Sequence, residues 1–237
     1  MPCETLESSL LSTRAFAEWS RQVVLVLHNT SHVDGEPYPE LLYQTGGIGF
    51  PTVSFLDADG RPLEQVGNVV TLEQCETAYK ALQDWQALRA AVERGGAGAA
   101  REKELFLLEL KLGNRPFAEM VQRRDALQLS ADDRKATEQP LVNLEFLETL
   151  RSTPRDRQWV GGEKFVAMWR AGRIPDPANE TPFWQYQFAF ASKQKDVALF
   201  KELLGWLREH RSGDVRLQRY LKLLEQQLAQ LEAGAGR

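Results

Sequence analysis

The sequence is poor in cysteine, and this scarcity excludes several kinds of site. Cys3 and Cys75 are the two cysteines among 237 residues, so a small disulfide-stapled scaffold is excluded. The two are too far apart in the sequence to form a zinc-ligand pair. His28 and His32 are four residues apart, but they fall at the end of a predicted strand and in a loop. That spacing places two side chains on one face only in a helix, so we expect neither a metal nor another cofactor.

Long apolar runs and a strong charge are also missing. No apolar run approaches the roughly 20 residues that cross a bilayer, so we predict no membrane span. The net charge is −4, and no cluster of Lys and Arg offers a phosphate-binding surface, so we expect no nucleic-acid partner. The serines have no His and Asp partners at motif spacing, which argues against a hydrolase.

The first part of the chain predicts alternating helices and strands. The run "VVLVL" at 23–27 is continuously apolar and rich in β-branched residues, which is typical of a strand buried on both faces in a parallel sheet. Thr71 is a suitable N-cap for a long amphipathic helix. The predicted elements are a helix over 4–20, a strand over 23–27, a short helix within 37–47, strands over 53–56 and 61–68, and a helix over 71–94.

The second part predicts helices almost to the end of the chain. We predict a domain at 1–94, a small-residue linker at 95–100 ("GGAGAA") and an α-helical domain at 101–237. Helical hairpins are predicted at 101–127 and 183–210, followed by a last helix with Ser212 or Asp214 near its cap. Successive hairpins resemble a tetratricopeptide-like stack, although no consistent period of about 34 residues is present.

This helical part is rich in aromatic residues. We expect them to pack between helices, and a binding groove is the alternative interpretation. The residues concerned are Trp159, Trp169, Phe183, Trp184, Tyr186, Phe188, Phe190 and Trp206.

One short stretch, "GFPT" at 49–52, places a proline immediately before the predicted strand 53–56. A proline cannot donate a hydrogen bond to a sheet, so it is confined to edges, bulges and first positions. A hairpin turn at Asp59-Gly60 and the long helix from Thr71 follow. With this order of elements, residues 1–92 resemble the thioredoxin superfamily, in which a cis proline starts the strand beside the active site.

The resemblance implies a part that precedes Met1. Family members begin with a strand and a Cys-x-x-Cys motif, whereas Pro2-Cys3 matches only the end of such a motif. The missing strand would lie between the strands at 23–27 and 53–56. We therefore expect a longer gene product, either because the start codon was assigned too late or because selenocysteine precedes Met1. Translating the upstream DNA tests this expectation.

The same resemblance implies roles for individual residues. Cys3 corresponds to the resolving cysteine and is the candidate catalytic residue, since a thiolate at a helix N-terminus is stabilised by unpaired backbone N–H groups. Pro51 is expected to position the substrate, with Phe50 and Thr52 beside it. The alternatives are a terminal cysteine without a task and a purely structural proline. Cys75 is expected to be a buried small hydrophobic residue.

The expected fold is a partial α/β thioredoxin-like domain followed by an all-α domain of helical hairpins. The resemblance implies a thiol–disulfide oxidoreductase that acts on protein disulfides, with the helical domain selecting or holding these proteins. Two alternatives stay open, a redox-inert adaptor that binds proteins and a glutathione-binding domain. A cytoplasmic location is expected for this sequence, and a periplasmic or exported one if the N-terminus is longer. The oligomeric state is undecided.

Overall fold

The computed structural model describes residues 2–28, 38, 41–45, 47, 50–57, 60, 62–66, 70–95, 98–177, 179–211 and 215–235. The fold is mostly helical with a small two-stranded sheet, and the chain divides into two compact units, Met1–Arg151 and Ser152–Arg237. The helices are α1 (Pro2–Leu6), α2 (Arg14–Trp19), α3 (Leu41–Gln44), α4 (Leu72–Glu93), α5 (Gly98–Leu112), α6 (Phe117–Ala126), α7 (Ala131–Ser152), α8 (Gln158–Arg170), α9 (Glu180–Gln194), α10 (Val197–Arg211) and α11 (Val215–Ala235).

The helix predicted over 4–20 is present but interrupted. A π-helical turn, Glu7–Leu11, follows α1, and in it the Ser12 N–H donates to the Glu7 carbonyl at 3.0 Å. Thr13 then caps α2, because its hydroxyl accepts a hydrogen bond from the Phe16 N–H at 3.2 Å. The extra residue of the π turn and the new cap explain why one periodic apolar pattern gives two helices.

The strand predicted at 23–27 is wrong. Residues 24–28 form neither a helix nor a strand, and Val24 and Leu27 are 90% and 92% exposed rather than buried. An apolar run favours burial, but a strand also needs a hydrogen-bonded neighbour, and no strand in the described part of the chain pairs with this one. Residues 24–27 are therefore exposed to solvent.

The hairpin predicted after Pro51 is confirmed. Strands β1 (Val53–Leu56) and β2 (Pro62–Val66) pair antiparallel, with Val53 opposite Val66. Pro62 occupies the first position of its strand, where a missing N–H is tolerated. Gly60 has a φ of 77°, a value that favours glycine, and its N–H donates to the Asp57 carbonyl at 3.0 Å. Asp59 lies outside the described residues.

Helix α4 begins at the predicted residue. The Thr71 hydroxyl accepts a hydrogen bond from the Gln74 N–H at 3.3 Å, and the Gln74 side chain accepts one from the Thr71 N–H at 3.1 Å. This capping box satisfies two N–H groups that the helix start would leave unpaired. The buried face of α4 carries Cys75, Ala78, Leu82 and Trp85.

Helices α5 and α6 confirm the predicted helical hairpin at 101–127. Gly113, with a φ of 62°, lies between the two helices, where a left-handed residue ends a helix. Helix α5 begins at Gly98, inside the predicted linker 95–100. The first compact unit includes α5 and α6 together with the hairpin and α4, and whether 1–94 folds alone stays a prediction.

In the second unit, glycines allow α8 and α9 to approach closely. A Cβ atom at Gly162 would collide with the Tyr186 carbonyl and the Phe190 Cβ. Lys195, with a φ of 55°, ends α9 before α10, in the predicted turn. Ser212 and Asp214 lie outside the described residues. The aromatic residues pack mainly in the core, as predicted; buried ones are Trp169, Phe183, Trp184, Tyr186 and Phe188.

Candidate functional site

Cys3 lies in the first turn of α1, and its side chain is exposed. The helix begins at Pro2, a residue suited to a first helical position because it has no N–H to leave unpaired. Glu4 is the acidic residue of the same turn, and its carbonyl accepts a hydrogen bond from the Ser8 hydroxyl at 2.8 Å. An accessible thiol of this kind can attack a disulfide or be captured in a mixed disulfide.

Phe50, Pro51 and Thr52 lead directly into β1. The Phe50–Pro51 peptide bond is cis, as the resemblance implies. Pro51 and Thr52 are half-buried, whereas Phe50 is 57% exposed. The Phe50 ring is therefore exposed to solvent next to the start of the hairpin.

The helical segment that carries Cys3 and the hairpin that follows Pro51 contribute to the same hydrophobic core. That Cys3 and residues 50–52 face one another across a pocket stays a prediction. The core consists of Leu10, Phe16, Val66, Cys75 and Ala78, with Leu6, Trp19, Val53, Phe55, Val70 and Leu72 packed against it.

Three aromatic rings connect the elements of this core. Trp19, at the end of α2, lies edge-on to Phe55 of β1, with ring centroids 6.5 Å apart. Tyr79 of α4 stacks on Phe55 at 6.1 Å and meets Trp19 edge-on at 6.2 Å. Such ring pairs stabilise a fold by more than their buried apolar area alone contributes. These contacts therefore hold the N-terminal helices, the hairpin and α4 together.

Cys75 is the buried residue that the sequence predicts. It is 2% exposed on the inner face of α4. Burial, and to a lesser degree the neighbouring Glu76 carboxylate, raises the pKa of its thiol. A thiol that is both covered and harder to ionise is unsuited to disulfide exchange.

A buried charge cluster, which we call the Glu109 cluster, was not predicted. The Glu109 side chain is 0% exposed and accepts hydrogen bonds from Trp85 Nε1 and Arg115 Nε, both at 3.1 Å. Arg123 donates a further, short hydrogen bond to it. Burial acts to raise the pKa of Glu109, but the hydrogen bonds from Arg123 and Trp85 and the charges of the two arginines outweigh it, so the pKa is lowered.

One signal in the sequence could have revealed this cluster. Glu109 follows Leu105 by four residues and Phe106 by three, and it precedes Leu110, so a carboxylate lies on the apolar face of a predicted helix. A charge at such a position needs buried partners. Both carboxylate oxygens of Glu109 accept hydrogen bonds from other members of the cluster, as a buried charge requires.

Of the two histidines that are four residues apart, the structure describes His28. The His28 Nε2 atom lies 2.8 Å from the Tyr38 carbonyl oxygen, and His32 lies outside the described residues. Among the residues that the structure describes, no group of three His, Cys, Asp or Glu side chains is placed to hold a metal ion. None of the described helices combines the length and apolar composition that a membrane span requires.

No family model, curated protein or solved structure matches this chain. The resemblance to thioredoxins therefore depends on the residues themselves, namely Cys3, the stretch 49–52 and the hairpin that follows it. A sheet of two strands neither supports nor excludes that fold.

Proposed function

We propose that the N-terminal part of the chain is a thioredoxin-like thiol–disulfide exchange domain, that Cys3 is its reacting residue and that protein disulfides are its substrates. The observation that supports this proposal best is the contrast between the two cysteines. Cys3 is exposed in the first turn of α1, whose Leu6 packs against the same hydrophobic core as β1, whereas Cys75 is buried within that core. Phe50, exposed next to Pro51, is a suitable contact for an extended peptide.

The proposed reaction begins with the Cys3 thiolate. Its sulfur attacks one sulfur of a substrate disulfide, a new S–S bond forms, and the second substrate sulfur leaves as a thiolate. A thiol co-reactant, such as glutathione or a cysteine of another protein, then attacks the Cys3 sulfur of the mixed disulfide, releases the first substrate sulfur as a thiolate and leaves Cys3 disulfide-bonded to the co-reactant. The two electrons that reduce the substrate disulfide thus come from two thiols, of which this chain supplies one.

Trapping the mixed disulfide tests the proposal. The whole reduced chain is incubated with a peptide disulfide, quenched with acid and analysed by intact-mass and peptide mapping. We expect one adduct, on Cys3, which Cys3→Ser abolishes and the matched variant Cys75→Ser retains. Phe50→Ala is expected to slow adduct formation with the peptide disulfide more than with glutathione disulfide. An adduct on Cys75 alone, or no adduct at all, would refute the assignment.

The alternative function is a redox-inert thioredoxin-like adaptor in which both parts of the chain bind proteins. It is favoured by the absence of a second exposed cysteine, since both cysteines of the sequence are described and Cys75 is buried. Insulin reduction in the presence of excess glutathione separates the two functions. An exchange protein accelerates the reaction and loses this with Cys3→Ser, whereas an adaptor gives the same background rate in both forms.

A further inference from the structure

A cavity of about 470 Å³ lies between the β1–β2 hairpin and α4. Its volume falls within the roughly 300–1,000 Å³ that is usual for small-molecule sites. Cys3 and residues 50–52 are not among the residues that line it. Apolar and charged side chains both contribute to the lining, and they include Leu56, Asp57, Leu63, Trp85, Arg89 and Glu93.

The guanidinium group of Arg89 is held in place on the α4 side of this cavity. Its Nε donates a hydrogen bond of 2.7 Å to Glu93 Oε1, and its Cζ lies 5.6 Å from the centroid of the Trp85 ring. Within the described part of the chain, no group accepts a hydrogen bond from the Nη atoms of Arg89. A guanidinium with free N–H groups of this kind binds a carboxylate through two parallel hydrogen bonds.

The apolar part of the cavity is also fixed by its surroundings. Trp85 and Leu63 are 6% and 8% exposed, and the Trp85 indole donates its hydrogen bond to Glu109. Leu56 lies at the end of β1, opposite the first residue of β2. An apolar surface that is already formed costs a ligand little reorganisation when it binds.

We propose that this cavity binds an apolar α-amino acid. The ligand's carboxylate pairs with the Nη atoms of Arg89, and its ammonium group pairs with the Asp57 carboxylate. Its apolar side chain covers Leu56 and Leu63. The site thus matches the three groups of one small molecule.

The charges of the cavity favour such a zwitterion over a simple anion or cation. Glu93 already neutralises Arg89, and Asp57 adds a second carboxylate among the described lining residues. A ligand with a carboxylate alone is repelled by these two carboxylates, and one with an ammonium group alone leaves the Arg89 Nη atoms unused. The site does not involve Cys3, so it stands or falls separately from the proposed function.

Isothermal titration calorimetry of the whole chain with L-leucine tests the proposal. We expect saturable binding that Arg89→Gln and Asp57→Asn each weaken by about tenfold or more, the loss that follows from removing a hydrogen bond to a charged group. Lys80→Gln and Asp84→Asn are the matched controls. These two residues form an exposed pair of 3.4 Å on the same helix and do not line the cavity, so binding should be unchanged.

Two analogues test the same contacts without any substitution in the protein. L-Leucinamide lacks the carboxylate and 4-methylpentanoate lacks the ammonium group, so each is expected to bind about tenfold more weakly than L-leucine or worse. During the L-leucine titration, the indole N–H resonance of Trp85 should shift, whereas that of Trp184, which belongs to the second compact unit, should not.

Several results would overturn the proposal. They are no binding of L-leucine up to about 10 mM, analogues that bind as tightly as L-leucine, folded Arg89 or Asp57 variants that bind like the parent chain, or an unshifted Trp85 resonance. Thermal unfolding establishes that each variant is folded, and the analogues decide the matter for any variant that is not.

Discussion

The indole Nε1 of Trp85 on α4 donates a hydrogen bond of 3.1 Å to the carboxylate of Glu109 on α5. Both residues are buried, at 6% and 0% exposed. Arg115 and Arg123 pair with the same carboxylate, so one side chain connects α4, α5 and α6. A charge out of water is tolerated here only because each of these partners is present.

Replacing Glu109 with glutamine is expected to destabilise the chain. Glutamine keeps an acceptor for the indole but removes the buried counter-charge of Arg115 and Arg123, and breaking a buried pair costs about 3–5 kcal/mol. The free energy of unfolding in urea measures this loss. Glu119→Gln is the matched control, because Glu119 is 42% exposed and 4.0 Å from Arg123, and it should cost less than about 1 kcal/mol. An equal loss in both variants would contradict the role of the cluster.

Acid is expected to weaken the same cluster. The pKa of Glu109 is lower in the folded chain than its ordinary value of 4.5, so the carboxylate contributes stability above that ordinary value and loses it as the pH falls through the folded pKa. Urea titrations at decreasing pH should therefore show a steeper loss of unfolding free energy below 4.5 for the natural chain than for Glu109→Gln. Parallel curves would show that the carboxylate is not coupled to folding.

The two thiols are expected to react at very different rates. A small aromatic disulfide reagent should modify Cys3 at once, since that thiol is exposed. Cys75, which is 2% exposed and has a raised pKa, should react only after unfolding in urea. The absorbance of the thiolate that the reagent releases measures how much thiol reacts in each of the two phases. Cys3→Ser should lose the fast phase and Cys75→Ser the slow one, and two fast phases in the folded chain would disprove the burial.

The same substitution at two helical glycines is expected to have opposite effects. Alanine at Gly162 places a methyl group against the Tyr186 carbonyl and should destabilise the chain by about 1–3 kcal/mol through overpacking. Alanine at Gly205 on α10 meets open space and should stabilise it by about 0.5–1 kcal/mol, because alanine favours the helix. Thermal unfolding of both variants decides the matter, and shifts of the same sign would contradict the close approach of α8 and α9.

The elements that the sequence predicts correctly carry local signals. Thr71 and Gln74 are three residues apart and form their capping box within one turn, and Gly60 supplies the conformation that its own turn requires. Likewise, Cys3 is exposed because it lies at the start of a helix, and Cys75 is buried because it lies on the apolar face of α4. For such features, neighbours in the sequence are also the physical partners.

The features that the sequence does not reveal depend on distant partners. Glu109 meets Trp85 across 24 residues, and its role as a buried acceptor is fixed by α4, not by α5. Residues 24–27 have the composition of a buried strand, but composition cannot supply the neighbour that would bury them. The arrangement of Cys3 relative to Pro51 is of the same kind and stays a prediction.

The π turn at Glu7–Leu11 means that the N-terminal helical segment contains one residue more than a regular helix would need. Ser8 and Ser9 within it are exposed, so deleting either one should turn the wide turn into an ordinary α-helical one, with Leu6 and Leu10 still facing inward. A shortened natural variant of this segment is therefore compatible with the same core, whereas a one-residue deletion within α4 would rotate its inner side chains out of register.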